Sequence, residues 1–333
     1  YTVYLEANDP TPDQMLVTDL TRAAFDPPTF EINTRYYWQV VAVAENGRHY
    51  VGPVWTFTTD TQFDPAVNAG DVETMVTVPE GEFQMGCDAR NPDLQRGCED
   101  RDRYLHPVWL DAYAIDKYEV TNKQYRACVA AGACNPPRRT NSYREENYYN
   151  DAAFNYFPVL YVSWWDSRAY CEWKDKRLPT EAEWEKAARG AIDTRSWPWG
   201  PERADCTRAN FVVDWTEPSY GCVTDTSQVG AFPRGASPYG ALDMSGNVFE
   251  WVWDNWDIMY YYSSPYMNPQ GPNRSKDPES EPFFVIRGGS YRPHWYYIMT
   301  TRRHFGHHGD CVGCDAPYYR NNQVGFRCAT SLD

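Results

Sequence analysis

Two carboxylates, Asp243 and Glu250, bracket a turn-forming Ser-Gly-Asn in the stretch Asp243-Met-Ser-Gly-Asn-Val-Phe-Glu-Trp251. Carboxylates on either side of a tight turn converge, and the turn can aim carbonyl oxygens into the same hollow. Hard oxygen donors of this kind suit Ca²⁺. By themselves the same residues also read as a loop with one exposed acid and one capping acid. A second cluster is His304-Phe-Gly-His307-His308-Gly-Asp-Cys311-Val-Gly-Cys314, whose imidazoles and thiols have spacings that zinc or copper accepts. Its simpler reading is a loop closed by a Cys311–Cys314 disulfide with solvated histidines alongside, and we favour it, so copper or zinc is not expected. A third set is aromatic: Tyr148-Tyr149, Tyr260-Tyr261-Tyr262, Trp295-Tyr296-Tyr297 and Tyr318-Tyr319, all in expected loops. Such side chains anchor interfaces and suit sugar rings, or else fill a core. Trp295, Tyr296 and Tyr297 with His304, His307 and His308 make a candidate ligand face.

The elements that must position these residues are few. Thr121 with Gln124 and Thr180 with Glu183 have capping-box spacing, and Gly132 and Gly190 stand where the two helices should stop. The first carries Tyr125, Cys128 and Val129 inward, the second Trp184, Ala187 and Ala188. A third helix is expected over Asp166–Lys174, presenting Cys171. These helices read as scaffold. Residues 1–60 read as β-structure: in Thr34–Val43 alternation places Tyr36, Trp38, Val40 and Ala42 on one face. Val51–Phe57 is a second strand whose proline suits an edge. Residues 61–74 are polar and turn-rich and read as a linker to a larger domain over 75–333. After Gly190 the chain is mostly loop, a length that calls for staples or bound ions.

Several motifs occur in a fixed order: Met75–Gly86, Arg177-Leu-Pro-Thr-Glu-Ala-Glu-Trp-Glu-Lys-Ala-Ala-Arg-Gly190, the stretch 243–251, Arg287-Gly-Gly-Ser-Tyr291 and Val324-Gly-Phe-Arg-Cys328. Over roughly residues 74–330 this series resembles the formylglycine-generating enzyme family, also called the sulfatase-modifying-factor family. The resemblance implies an α+β domain of C-type-lectin-like fold with little regular secondary structure. It implies a Ca²⁺ site from the side chains of Asp243 and Glu250 and the carbonyls of Gly246 and Val248. A second site would begin with Asn210 and the Phe211 carbonyl, but Gly221 and Cys222 stand where an acid is expected. Family members oxidise a client cysteine to formylglycine with copper held by two cysteines after the Arg-Gly-Gly-Ser-Tyr motif. Here those positions are Pro293 and Ile298, and neither side chain offers the sulfur that Cu(I) or a mixed disulfide needs. The related sulfoxide synthases use an additional domain with an iron-binding His motif, which this sequence lacks. Residues 1–60 in turn resemble the end of a fibronectin type III module. Such a sandwich needs about seven strands in ~100 residues, so a partial β-sandwich lacking its first strands is expected. Its open edge would come from an earlier, removed segment or be completed by another polypeptide.

The ten cysteines are even in number. Cys87/Cys98, Cys128/Cys134, Cys206/Cys222 and Cys311/Cys314 are close enough to staple loops. The remaining two, Cys171 and Cys328, match a long-range disulfide of the family. Full pairing favours an oxidising compartment. Tyr1 in place of an initiator Met leads us to expect that a leader or longer segment has been removed. A net charge of −15 argues against a nucleic-acid partner, which needs a basic face, and no apolar run reaches membrane-spanning length. The expectation is therefore a secreted, cell-surface or periplasmic binding or structural protein that uses calcium and has lost the catalytic thiols. Its partner would be a protein or glycan, or neighbouring subunits in an assembly. The alternatives are an oxidase with a relocated metal centre and a lectin-like carbohydrate-binding module.

Overall fold

A computed structural model of the chain describes residues 2–7, 11–12, 15–17, 35–44, 48–58, 73–90, 98–99, 104–191, 194–213, 221–272, 283–292, 294–305 and 321–332. The chain divides into two compact units, Tyr1–Pro65 and Ala66–Asp333. The described part of the first unit is an antiparallel sheet of β1 (Thr2–Ala7), β2 (Met15–Val17), β3 (Arg35–Val43) and β4 (His49–Thr58), in the order β2-β1-β3-β4. β4 lies at an edge, where a strand tolerates Pro53, and it bulges between the pairs Gln39↔Val54 and Val41↔Val51. On β3 neither face is uniformly buried, and Val43, on the face of Val41, is exposed. Trp38, Val40 and Ala42 are half-buried, whereas Val41, on the opposite face, is buried. The strand carries apolar residues on both faces, so its period alone does not choose between them.

The second unit is α+β with little regular secondary structure, as expected. It contains β5 (Met75–Val78), β6 (Gly81–Met85), β7 (His106–Leu110), β8 (Tyr113–Asp116), α1 (Asn122–Ala130), α2 (Trp164–Trp173) and α3 (Glu181–Arg189). Then follow β9 (Phe249–Asn255), β10 (Phe284–Arg287), β11 (His304–Phe305), β12 (Val324–Phe326) and β13 (Ala329–Ser331). One sheet runs β11-β10-β9-β12, with β12 parallel to β9; a second runs β13-β8-β5; β6 and β7 pair separately. The consecutive strands β12 and β13 thus belong to different sheets, and Arg327 and Cys328 occupy the step between them.

The Thr121/Gln124 and Thr180/Glu183 capping boxes form, and Gly132 and Gly190 follow the helix ends with positive φ. α2 begins two residues before Asp166. Ser163 is its cap, and Asp166 supplies the reciprocal bond, a box built with a shorter acid than the usual Glu or Gln. Four of the expected disulfides are present: Cys87–Cys98, Cys128–Cys134, Cys206–Cys222 and Cys171–Cys328. The last spans 157 residues and ties α2 to the step between β12 and β13. Cys311 and Cys314 lie outside the described residues. Most of the loop aromatics fill the core. Tyr148, Tyr149, Tyr260, Tyr261, Trp295 and Tyr296 are buried, whereas Tyr262 and Tyr297 reach the surface. With few helices to supply aliphatic faces, rings from loops provide the apolar area. Tyr318 and Tyr319 lie outside the described residues.

Every residue of α3 is buried, including Glu181, Glu183, Glu185, Lys186 and Arg189. Buried charge persists only when paired, and here it is. The Arg287 guanidinium donates to Glu181 and Glu185, both at 2.7 Å, and lies 5.1 Å from the Trp184 ring. Arg303 donates to both oxygens of Glu181, at 2.8 and 2.9 Å. Arg189 donates to Glu185 at 2.7 Å and to the Gly86 carbonyl at 2.6 Å, and Gly86 N–H returns a bond to Glu185. Burial pushes both carboxyls up, but Arg303 and Arg287 around Glu181, and Arg287 and Arg189 around Glu185, outweigh it and hold both below the usual range. Because these folded-state values are depressed, the stabilisation is complete above the ordinary carboxylate range and is lost as pH falls below it.

Glu185→Gln places an amide N–H₂ among donors that need an acceptor. The expected loss is about 3–5 kcal/mol, the cost of breaking one buried pair, with a shallower decline of stability in acid. Urea unfolding at neutral and acidic pH measures both; a loss under about 1 kcal/mol would show that the network behaves as a surface ion pair.

Candidate functional site

The loop before β9 is a hub of close backbone approaches. Asp243, Gly246 and Asn247 all have positive φ, at 57°, 85° and 57°, and Asp, Asn and Gly are the residues that tolerate this region best. At Gly246 the requirement is doubled, because a Cβ there would lie 2.3 Å from the Asn210 carbonyl oxygen. Gly246 N–H donates to the Gly288 carbonyl and Asn247 N–H to the Asn210 carbonyl, both at 2.9 Å. Tyr291 N–H donates to the Asn247 carbonyl at 2.8 Å, and Ser245 Oγ to the Ile298 carbonyl at 2.7 Å. One turn therefore holds the second oxygen-rich loop, the Arg-Gly-Gly-Ser-Tyr segment and the position of Ile298.

The structure brings Asp243 and Glu250 together and adds a third carboxylate, Glu119. Glu250 is fully buried. It accepts two bonds from Arg327, both at 2.7 Å, and one from Trp184 Nε1 at 2.8 Å. Asp243 Oδ2 accepts Gly230 N–H at 2.6 Å. Glu119 accepts Asn247 Nδ2 at 2.6 Å and Val248 N–H at 3.2 Å. Burial, then the charges of Asp243 and Glu250, push the Glu119 carboxyl well above the usual range. Glu250, Glu119 and Asp243 all act on the same guanidinium, Arg327. Three buried acids around one guanidinium leave an excess of negative charge with oxygen donors only, which fits a hard divalent cation. Among the described residues no three acid, His or Cys side chains converge closely enough to hold a metal by themselves. A cation here needs oxygen donors beyond these side chains to complete its shell. Glu119 was not singled out in the sequence; its only local signal is an acid just ahead of the α1 capping box.

The second oxygen-rich loop is closed by its own backbone. Asn210 Oδ1 accepts Val223 N–H at 3.0 Å and the Phe211 carbonyl accepts Cys222 N–H at 2.9 Å. Asn210 Nδ2 donates to the Asp225 carbonyl at 2.8 Å. These bonds close the loop onto itself, and the Cys206–Cys222 disulfide locks it.

Ile298 is fully buried. Its side chain is seated against Gly289, where a Cβ would come within 2.6 Å of Ile298 Cγ2. Pro293 lies outside the described residues. Of the candidate ligand face, Trp295, Tyr296 and His304 are buried. His304 is paired in the sheet opposite Ile286, with its ring 5.1 Å from Phe249. Tyr297 is the member that reaches the surface; His307 and His308 lie outside the described residues. The face is therefore not assembled as the sequence suggested, because the turn at 295–298 and β11 direct these rings into the core.

Residues 59–332 match the family described as sulfatase-modifying factor enzyme 1-like domain. The chain is 32% identical over 302 residues to a formylglycine-generating enzyme of Thermomonospora curvata, covering 77% of this chain and 92% of that protein. It is 29% identical over 300 residues to the formylglycine-generating enzyme of Bos taurus, covering 77% and 74%. Among solved structures, PvdO from Pseudomonas aeruginosa superposes with a TM-score of 0.59 at 27% identity, over 78% of this chain and 94% of that one.

Gly246→Ala should destabilise by about 2–4 kcal/mol, combining left-handed strain with overlap on Asn210. Gly132→Ala is the control: its φ is 73° and nothing lies within 4 Å of its would-be Cβ, so it should lose about 1–2 kcal/mol. Equal losses in chemical denaturation would show that the contact with Asn210 carries no weight.

Proposed function

From a chain that belongs to the sulfatase-modifying factor enzyme 1-like family, we propose a protein that keeps the family fold and has lost its oxidation chemistry, acting as a binding or structural module. The observation that carries this reading is Ile298. The position where the resemblance puts the second catalytic thiol holds a fully buried aliphatic side chain, seated against Gly289, with its backbone carbonyl held by Ser245. With Pro293 at the first position, no sulfur stands at either place to bind Cu(I). Among the described residues every cysteine is in a disulfide.

The setting is extracellular, cell-surface or periplasmic; disulfides persist in such compartments, and the four present support it. The ligand of the module is a protein. A glycan-binding reading draws less support, since Trp295, Tyr296 and His304 are turned inward. Calcium is the resident ion in this reading, held by Asp243 and Glu250 with the carbonyls of Gly246 and Val248, and it offsets the charge excess around Glu119. Its role is structural: it fixes the turn on which Ser245 and Asn247 depend.

Chelation is expected to lower the melting temperature, and added Ca²⁺ to restore it, because an ion bound only by the folded state stabilises that state. A melting temperature indifferent to excess chelator would remove calcium from this account. Separately, incubation with copper, a reductant and a sulfatase-type cysteine peptide should leave the peptide thiol intact. Formation of formylglycine would overturn the non-catalytic reading.

A further inference from the structure

The segment Cys134-Asn-Pro-Pro-Arg138-Arg139-Thr-Asn-Ser-Tyr143-Arg144 holds three arginines and no acid, in a chain whose net charge is −15. The fold brings it beside the residues that follow the Arg-Gly-Gly-Ser motif. Arg138 N–H donates to the Tyr161 carbonyl at 3.1 Å, and the Arg139 guanidinium lies 5.8 Å from the Tyr161 ring. Arg292 lies over the Tyr143 ring at 4.9 Å. Arg138, Arg139 and Arg292 are all exposed, and among the described residues none is joined to a carboxylate.

Tyr291 lies beside Arg292 and the two tyrosines, Tyr143 and Tyr161. It is 1% exposed, and its hydroxyl has no hydrogen-bond partner among the described residues. Asp225, Arg292, Tyr161 and Tyr143 are its charged and polar neighbours. Asp225 is already engaged: its carboxylate accepts Ser142 Oγ, Arg144 N–H and Thr226 N–H. A buried hydroxyl without an acceptor is unfavourable, and burial pushes this one above the usual phenol range, so it stays a donor. Tyr161 has a φ of 57°. A bulky residue persists there only where its surroundings over-determine it, and such outliers cluster at binding sites.

We propose that Arg138, Arg139 and Arg292 bind the carboxylates of an acidic peptide segment of a partner protein. Arginine forks match carboxylate geometry. A peptide fits better than a sugar because the Tyr143 and Tyr161 rings already carry guanidinium groups and are not open for stacking. The rest of the chain repels anions, so the attraction is local to this patch. The site names the partner chemistry for the non-catalytic binding role and rests on that reading only for its biological use.

The test is fluorescence anisotropy with a labelled oligoglutamate peptide, an oligolysine peptide and a sulfated oligosaccharide. Oligoglutamate should bind, more weakly as salt rises, and oligolysine should not bind in the same salt-sensitive way. Arg138→Gln/Arg139→Gln/Arg292→Gln should weaken oligoglutamate binding about tenfold or more, each exposed pair contributing a modest share. Tyr291→Phe is the control: it should leave the affinity unchanged, because the buried hydroxyl is out of the peptide's reach, and leave the melting temperature unchanged or raised, since an orphan hydroxyl is removed. Absence of oligoglutamate binding, full affinity in the triple variant, or binding of the sulfated saccharide alone would overturn the proposal. Formylglycine formation by the same protein would overturn the non-catalytic reading and leave this site standing.

Discussion

The pairing of Arg287 with Glu181 and Glu185 is the contact on which the second unit depends. It joins the end of β10 to a helix that has no solvent-facing side. A helix buried all round is ordinarily apolar. α3 instead carries carboxylates at alternate positions of its first half, and each is met by a guanidinium: Glu183 by nearby Arg177, Glu181 and Glu185 by groups that include two from distant sequence. Arg287 comes from β10, Arg303 from the turn before β11, and Arg189 from the helix itself. Tyr261 adds its hydroxyl between the two acids. Removing any one partner strands a charge in a medium that solvates it poorly. This is the physical reason for the motif residues around 181–189 and at 287, and it assigns them to architecture.

A second constraint is built on the first. Trp184, on the same helix, donates to Glu250, and Arg327 grips Glu250 from the step between the two sheets. The same step supplies Cys328 to the disulfide with α2. The carboxylate loop is thereby placed against the helix, both sheets and the chain end at once. Its glycines follow from this crowding: Gly288 faces the Trp184 ring and Gly289 faces Ile298. The Arg-Gly-Gly-Ser-Tyr segment runs through the most crowded part of the domain, where a Cβ would collide with a ring or a backbone.

This arrangement bears on how the fold accommodates the side chain at position 298. Ile298 contributes its carbonyl to Ser245 and its side chain to a pocket against Gly289, and neither contact requires sulfur. The hub around residues 243–250 organises the neighbourhood through backbone geometry and buried carboxylates. An aliphatic side chain is accommodated at that position.

The helices were legible in the sequence because their caps are local: Thr121 with Gln124 and Thr180 with Glu183 act across three residues, and no distant partner is needed. Family motifs made the α+β fold and the Cys171–Cys328 bond readable for the same reason, as fixed residues in fixed order. The start of α2 was read two residues late because an Asp stood in for the longer acid of the box. Tertiary structure alone decided which polar residues converge. Glu119 is 131 residues from Glu250 in sequence and is brought beside it by the packing of the α1 entry against the loop. The aromatic and histidine cluster around 295–304 looked like a surface face, and its burial depends on β11 pairing with β10, which no local pattern encodes. Arg139 likewise reaches Tyr161, and Arg292 reaches Tyr143, only in the fold. Caps and motifs are written in neighbouring residues, whereas charge compensation and burial are properties of space, set by segments that the chain order keeps apart.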